Sequence, residues 1–230
     1  MATKKKKNSN YVTAKTEEAR LAREKAVLAK AKRKLAIIIS AIVLCAALLA
    51  GAVIGIVYLV RSSNPFEVTH HASIVIKDYG TIHVELYGKE APKTVENFVN
   101  LANQGAYNGT SFHRIIKGFM AQGGYGASSG TTVVGEFENN GYENNVELSR
   151  GAIAMARADD PDSASAQFFI VQNTDRGMKL QGDYAGFGRV TSGMDIIDKI
   201  CNESKPYDNN GSILPGNQPI ITSISIHAAH

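Results

Sequence analysis

Hydrophobic positions change their period along the chain. From Leu35 to Val60 (LAIIISAIVLCAALLAGAVIGIVYLV) they form one run of 26 residues with no charge, and Ser40 is its main polar interruption. A helix of about 20 apolar residues spans the hydrocarbon core of a bilayer, so this run predicts a membrane-crossing helix with some tilt. A buried core helix would normally keep a polar face. From Ala72 the period becomes two. Ile74 and Ile76 alternate with polar neighbours, Asp78-Tyr79-Gly80 marks a turn, and Ile82, Val84 and Leu86 alternate again, which predicts a hairpin with one buried face. Pro92 then opens a stretch in which Val95, Phe98, Val99 and Ala102 fall at helical spacing, closed by Gly105. Further strands are predicted at Phe112–Ile116, Met120–Gln122, Ala152–Ala156, Phe168–Val171 and Gly186–Val190. A second helix is predicted at Gly193–Asn202. A last strand, Ile220–Ile226, is expected to put Ile220, Thr222, Ile224 and Ile226 on one face. Many short strands with only two helices predict a mainly β domain, a closed or nearly closed antiparallel barrel capped by the helices. The 157 residues of 72–228 are enough to bury a substantial core.

Charge divides the chain at the same places. Residues 1–34 carry 12 Lys/Arg against 3 Asp/Glu, a net of +9, whereas residues 61–230 carry 13 against 18, a net of −5. The overall +4 is therefore a property of the N-terminal arm. A nucleic-acid-binding domain would carry its positive excess on the folded part, so no nucleic-acid partner is expected. The segments expected are a basic arm at 1–34, a transmembrane helix at 35–60, a linker at 61–71 (RSSNPFEVTHH) and the β domain at 72–228.

A cleaved signal peptide is the rival reading of the apolar run. Signal peptides have apolar regions of about 7–15 residues. Ala50-Gly51-Ala52 resembles a cleavage site, but eight apolar residues follow it, so an uncleaved signal anchor fits better. Lys30, Lys32, Arg33 and Lys34 crowd one flank and only Arg61 marks the other. The positive-inside rule then places the N-terminus in the cytoplasm and residues 61–230 outside it. The expected localisation is a single-pass cell-membrane protein.

The two cysteines, Cys45 in the apolar run and Cys201 far downstream, are not expected to pair. His70, His71, His227 and His230 have no clustered cysteines or carboxylates at diagnostic spacing, so no metal is expected. Asn108-Gly109-Thr110, Asn202-Glu203-Ser204 and Asn210-Gly211-Ser212 match the short and common N-glycosylation pattern.

The stretch Phe112-His113-Arg114-Ile115-Ile116-Lys117-Gly118-Phe119-Met120-Ala121-Gln122-Gly123-Gly124 closely resembles the signature of the cyclophilin family. Gly151 to Ile170 (GAIAMARADDPDSASAQFFI) and Leu180 to Val190 (LQGDYAGFGRV) resemble the family's second and third functional segments, and Pro92 to Phe98 is similar to its first helix. The resemblance covers 72–228 and none of 1–60. It implies a closed eight-stranded antiparallel β-barrel capped by two helices. The activity implied is peptidyl-prolyl cis–trans isomerisation, assisting the folding of exported or cell-surface polypeptides at the membrane. A proline-peptide-binding module with little turnover is the alternative. The reaction breaks no bond, so no cofactor is expected.

By the same resemblance Arg114 is the donor to the imide nitrogen, and Gln122 orients it. Phe112, Phe119, Met120, Phe169, Leu180 and Tyr184 line the proline site. Gln167 binds substrate backbone, and Ala156, Arg157 and Ala158 pair with the extended peptide. Taken alone, the Phe, Met and Leu positions read as ordinary core. Two departures stand out. The chain has no tryptophan, and Lys179 falls where many members carry one; Tyr184 falls where many carry histidine. That tryptophan contributes strongly to cyclosporin binding in the family, so weak cyclosporin binding with activity retained is expected.

Overall fold

The computed structural model describes residues 65–127 and 130–229, together with helical residues 25, 28, 30, 32–34, 38–40 and 43. Most of the apolar run at 35–60 lies outside the described residues. Of that run, Ile38, Ile39, Ser40 and Val43 are described, and they are helical and exposed. Among the described residues no helix is long and apolar enough to cross a membrane. The chain separates into two units, Met1–Asn64 and Pro65–His230.

The second unit begins with the expected hairpin. β1 (His70–Ile76) and β2 (Gly80–Leu86) pair antiparallel, with Ile74 opposite Ile82 and Ala72 opposite Val84. Ala72, Ile74, Ile76, Ile82, Val84 and Leu86 all point into the core, as a period of two requires. Asp78 adopts a left-handed φ of 65° in the turn, a conformation Asp tolerates better than most residues.

Helix α1 (Pro92–Asn103) starts with proline at its first turn, where no N–H is needed. Ala91 supplies no cap. The cap comes from Glu136, whose buried carboxylate accepts from Lys93 N–H (3.0 Å), Thr94 N–H (2.9 Å) and Thr94 Oγ1 (2.7 Å). An anion at a helix N-terminus meets both the orphan donors and the positive end of the dipole. Val95, Phe98, Leu101 and Ala102 form the buried face.

The remaining elements are β3 (Arg114–Ile116), β4 (Met120–Gly123), β5 (Ala152–Met155), β6 (Phe168–Val171), α2 (Thr174–Gly177), β7 (Gly186–Ser192), α3 (Met194–Glu203) and β8 (Ile221–Ala228). All strand pairs are antiparallel, in the order β3-β4-β6-β5-β7-β2-β1-β8. The expected closed barrel is corrected here: no ladder joins β3 to β8, and the sheet is curled and open. The segment leading to β8 fills that gap. Ile115 N–H donates to Gly211 O (2.7 Å), Ile213 N–H to His113 O (2.8 Å) and Phe112 N–H to Pro219 O (2.9 Å). Pro215 and Pro219 have no N–H to give, so this segment cannot run as a paired strand.

Two of the expected boundaries shift. β3 begins at Arg114, and Phe112 before it bonds through its N–H to Pro219 O rather than to β4. In β8 the core residues are Ile221 and Ile224, not Ile220 with Ile224. A register shift between Val75 and Ile76 advances the pairing by one residue and turns the alternation over, which a strict period of two could not predict.

The main core lies on the inner face of the sheet, where Phe98, Tyr107, Phe112, Phe168 and Phe187 pack with ring centroids 5.2–6.1 Å apart. β4, β5 and β6 are buried on both faces. Ala121, Ile153, Met155, Phe168 and Ile170 face inward. Met120, Ala152, Ala154, Phe169 and Val171 form a second, smaller cluster on the outer face.

Candidate active site

The outer cluster is the floor of a cleft. Register explains how its residues meet: Arg114 sits opposite Gln122, Gln122 opposite Phe169, and Phe169 opposite Ala154. A row of side chains thus crosses four strands on one face. In that row Gln122 Nε2 donates to Gln167 Oε1 (2.9 Å), and Gln122 Oε1 accepts from Arg114 Nη1 (3.2 Å). Each amide uses its acceptor toward a donor, so the order fixes both amides. Arg114 Nε donates to Asn210 O (2.8 Å). The guanidinium is held on two sides, and its Nη2 has no partner among the described residues.

The Asn210 carbonyl is itself pinned. Asp208 Oδ1 accepts from the N–H groups of Asn210 (3.0 Å) and Ser212 (2.9 Å), which closes a turn on its own side chain. These hydrogen bonds hold the Asp208 carboxyl below the usual carboxylate range. Gly211 completes the turn with φ +86°, and a Cβ there would lie 2.5 Å from Ile116 Cγ1 and 2.7 Å from Ile115 O.

The cleft has a volume of about 130 Å³ and is lined by Arg114, Phe119, Met120, Gln122, Ala156, Arg157, Phe169, Leu180 and Tyr184. Phe169 meets Tyr184 edge-on at 5.4 Å. Arg157 bridges the rim. Its Nε donates to Asp183 O (2.9 Å), its Nη1 donates to Ala158 O (2.8 Å), and its guanidinium lies 5.0 Å from the Tyr184 ring and 5.1 Å from the Phe137 ring. A second depression, of about 270 Å³, shares Gln122, Ala156 and Arg157 and adds Ala158, Ser163, Ser165 and Gln167. Two N–H groups between the depressions are already engaged, Ala156 by Gln167 O (2.8 Å) and Ala158 by Ser163 Oγ (2.9 Å). Arg157's own N–H and C=O have no partner among the described residues, so they are the groups this segment offers to an extended peptide.

Eleven of the twelve residues singled out in the sequence line one or both of these depressions. Phe112 does not. It is 0% exposed and packs edge-on against Phe168 in the inner core, so it supports the sheet from below. Lys179 is exposed on the 3₁₀ turn Met178–Leu180, next to the cleft residue Leu180. His113 stacks on Tyr125 at 4.8 Å. Burial and the adjacent Arg114 lower its pKa, so it adds no second positive charge to the site at neutral pH. Burial raises the Cys201 thiol to about 12. Among the described residues no group of three or more His, Cys, Asp or Glu is placed to hold a metal ion.

Sequence reading missed Asn210 and Asp208. Their signal was the turn-forming run Asp208-Asn209-Asn210-Gly211, but nothing in the sequence says where such a turn docks.

Comparison with known proteins points to one family. A family model described as cyclophilin type peptidyl-prolyl cis-trans isomerase/CLD matches residues 71–226. The chain is 36% identical over 185 residues to peptidyl-prolyl cis-trans isomerase A of Dickeya dadantii, covering 76% of this chain and 95% of that protein. It is 38% identical over 157 residues to isomerase B of Escherichia coli, covering 65% and 95%. A crystal structure of a Cryptosporidium parvum cyclophilin type isomerase, obtained in the presence of the dipeptide Ala-Pro, superposes with a TM-score of 0.58 at 29% identity, covering 69% of this chain and 99% of that one.

Proposed function

The chain belongs to the cyclophilin-type peptidyl-prolyl cis–trans isomerases and catalyses rotation of Xaa-Pro peptide bonds; from that premise we propose that Arg114 drives the reaction in the cleft floored by Met120 and Phe169. Rotation about a peptide bond faces a barrier of about 18–20 kcal/mol because resonance gives C–N double-bond character. Uncatalysed prolyl isomerisation takes roughly tens to hundreds of seconds. Bringing that to milliseconds removes about 6–7 kcal/mol from the barrier. In the half-rotated imide the nitrogen lone pair is no longer delocalised and accepts a hydrogen bond, which neither planar form can do. A donor aimed at it stabilises the transition state selectively. The guanidinium offers a fixed fork of donors. Phe119, Met120, Phe169 and Leu180 hold the ring, Tyr184 closes the rim, and Arg157's main chain with Gln167 grips the peptide.

The observation that carries this reading is the chain of hydrogen bonds Gln167–Gln122–Arg114 along an apolar cleft. Two held amides and a pinned carbonyl orient one guanidinium beside a slot that fits a proline ring. In a protease-coupled isomerisation assay, Arg114→Ala should lower kcat/KM about 10²–10³-fold, the range for losing one transition-state donor, with the melting temperature unchanged. A folded variant with activity within twofold of the parent would refute the assignment.

The clients we propose are proline-containing polypeptides exported across a membrane. The uncharged run at 35–60 behind an arm of net +9 supports a single-pass anchor with the isomerase unit outside the cytoplasm. Protease added to intact cells should then digest residues 65–230. Digestion only after lysis would reverse that topology. With Lys179 exposed beside Leu180, cyclosporin binding is proposed to be weak.

A further inference from the structure

Arg176 lies 4.8 Å over the Phe119 ring, and the main chain on both sides of Phe119 is held separately, by Gln172. Phe119 follows Gly118 in the tight connection between β3 and β4, where Phe119 N–H bonds to Ile116 O (3.0 Å). One residue beyond β6, Gln172 grips this turn twice. Its own N–H donates to Phe119 O (2.7 Å), and its Oε1 accepts from Gly118 N–H (2.6 Å). The two bonds fasten the peptides on either side of the Gly118–Phe119 pair. The other end of the Gln172 amide, Nε2, donates to Asp198 Oδ1 on α3 (3.1 Å). Arg150 closes the set, with Nη1 and Nη2 on the two Asp198 oxygens (2.9 and 2.6 Å) and Nη1 also on Gln172 O (2.7 Å).

We infer that Gln172 is a positioning residue for the isomerase cleft, oriented by the Arg150–Asp198 pair and acting through Phe119. The logic lies in the two ends of an amide. Asp198 as a carboxylate only accepts, so it takes the NH₂ end and leaves the carbonyl end for Gly118. Arg150 holds the carboxylate with a two-point fork, which fixes its direction. Without this arrangement the amide can turn over, and Gly118 then faces a donor. Catalytic geometry is sensitive to such losses, since a misplacement of about 1 Å can cost about 10²-fold in rate. Phe119 walls the proline slot, so a slackened turn lets the ring settle away from Arg114. The inference rests on the assignment of Arg114 and Phe119 to the reaction.

The test is a mutant cycle on the full chain, read as kcat and KM for an Xaa-Pro tetrapeptide together with the melting temperature. Gln172→Met should lower kcat/KM about tenfold in the parent. In a Phe119→Ala background the same change should have less than a twofold effect, because its only route to the chemistry is gone. Gln172→Glu should be as harmful as Gln172→Met, since two carboxylates then face each other. Adding Asp198→Asn to it should restore activity to within threefold, because the new amide can donate to the new carboxylate. Full-size loss in both backgrounds, or no loss in a folded Gln172→Met, overturns the inference. If Gln172→Met does not fold, the Gln172→Glu and Asp198→Asn pair decides alone, and failure of rescue overturns it. An Arg114→Ala variant run alongside separates the two claims: its retained activity would sink the site assignment itself, whereas its loss beside an unaffected Gln172→Met would sink only the positioning role.

Discussion

At the scale of single residues, Lys179 sets the chemistry at the edge of the cleft. It lies on a one-turn 3₁₀ segment with its ammonium in water, beside the apolar wall formed by Leu180. A compact, strongly hydrated charge offers no flat apolar surface to a large cyclic apolar ligand. An indole would supply both that surface and a single N–H donor. Lys179→Trp should therefore tighten inhibition by cyclosporin about tenfold, or roughly 1.4 kcal/mol, with kcat/KM for a small peptide changed less than twofold. Nanomolar inhibition of the unmodified protein would show that the lysine is no obstacle.

Elements were predicted from periodicity, and periodicity fails where both faces of a strand are buried. Periodicity alone does not sort the alternate residues of β5 and β6, which serve different tasks: Phe168 fills the inner core, while Phe169 floors the cleft. The loop from Tyr207 to Ser212 had no period to read, although it completes the site. It lends Asn210 O to Arg114 and Gly211 O to Ile115. Its shape depends on Gly211, whose φ of +86° suits glycine and whose missing Cβ leaves room for Ile116 and the Ile115 carbonyl. Gly211→Ala must either shift the loop or push β3 aside. The cost expected is about 1–3 kcal/mol of stability for a non-glycine residue in that region. Because the displaced carbonyl is the one holding Arg114 Nε, kcat should fall about tenfold, a movement of order 1 Å being able to cost as much or more. Thermal melting with steady-state kinetics checks both. Lower stability with unchanged kcat would show that Asn210 O is dispensable to the reaction.

For the molecule as a whole, the mainly β domain was legible because alternation and turn chemistry agreed along most of 72–228. The open seam was not, because closure depends on how the 207–219 segment docks against β3. The same whole-molecule view sets the response to acid, and the sign differs in origin for two kinds of group. His113 is held below its usual pKa by burial and Arg114. As pH falls below about 6.5, the unfolded chain takes up this proton first, so stability is lost from there down to the lowered native value. Asp162, Asp198 and Asp208 are also held low, Asp162 chiefly by Gly135 N–H, Asp198 by Arg150 and Asp208 by Ser212. Their stabilisation is complete above the unfolded carboxylate value of about 3.9 and disappears as pH drops through the native values beneath it. The urea midpoint should therefore fall in two stages, a shallow one beginning near pH 6.5 and a steeper one below about pH 4. His113→Phe keeps a ring against Tyr125 and should flatten the first stage alone. Replacing the three aspartates by asparagine should lower the midpoint at pH 7 and flatten the second. A parent curve with no slope between pH 6.5 and 5 would mean that His113 is protonated as readily in the folded protein as in the unfolded chain. The packing of its ring beside Arg114 would then exert no measurable pull on its proton.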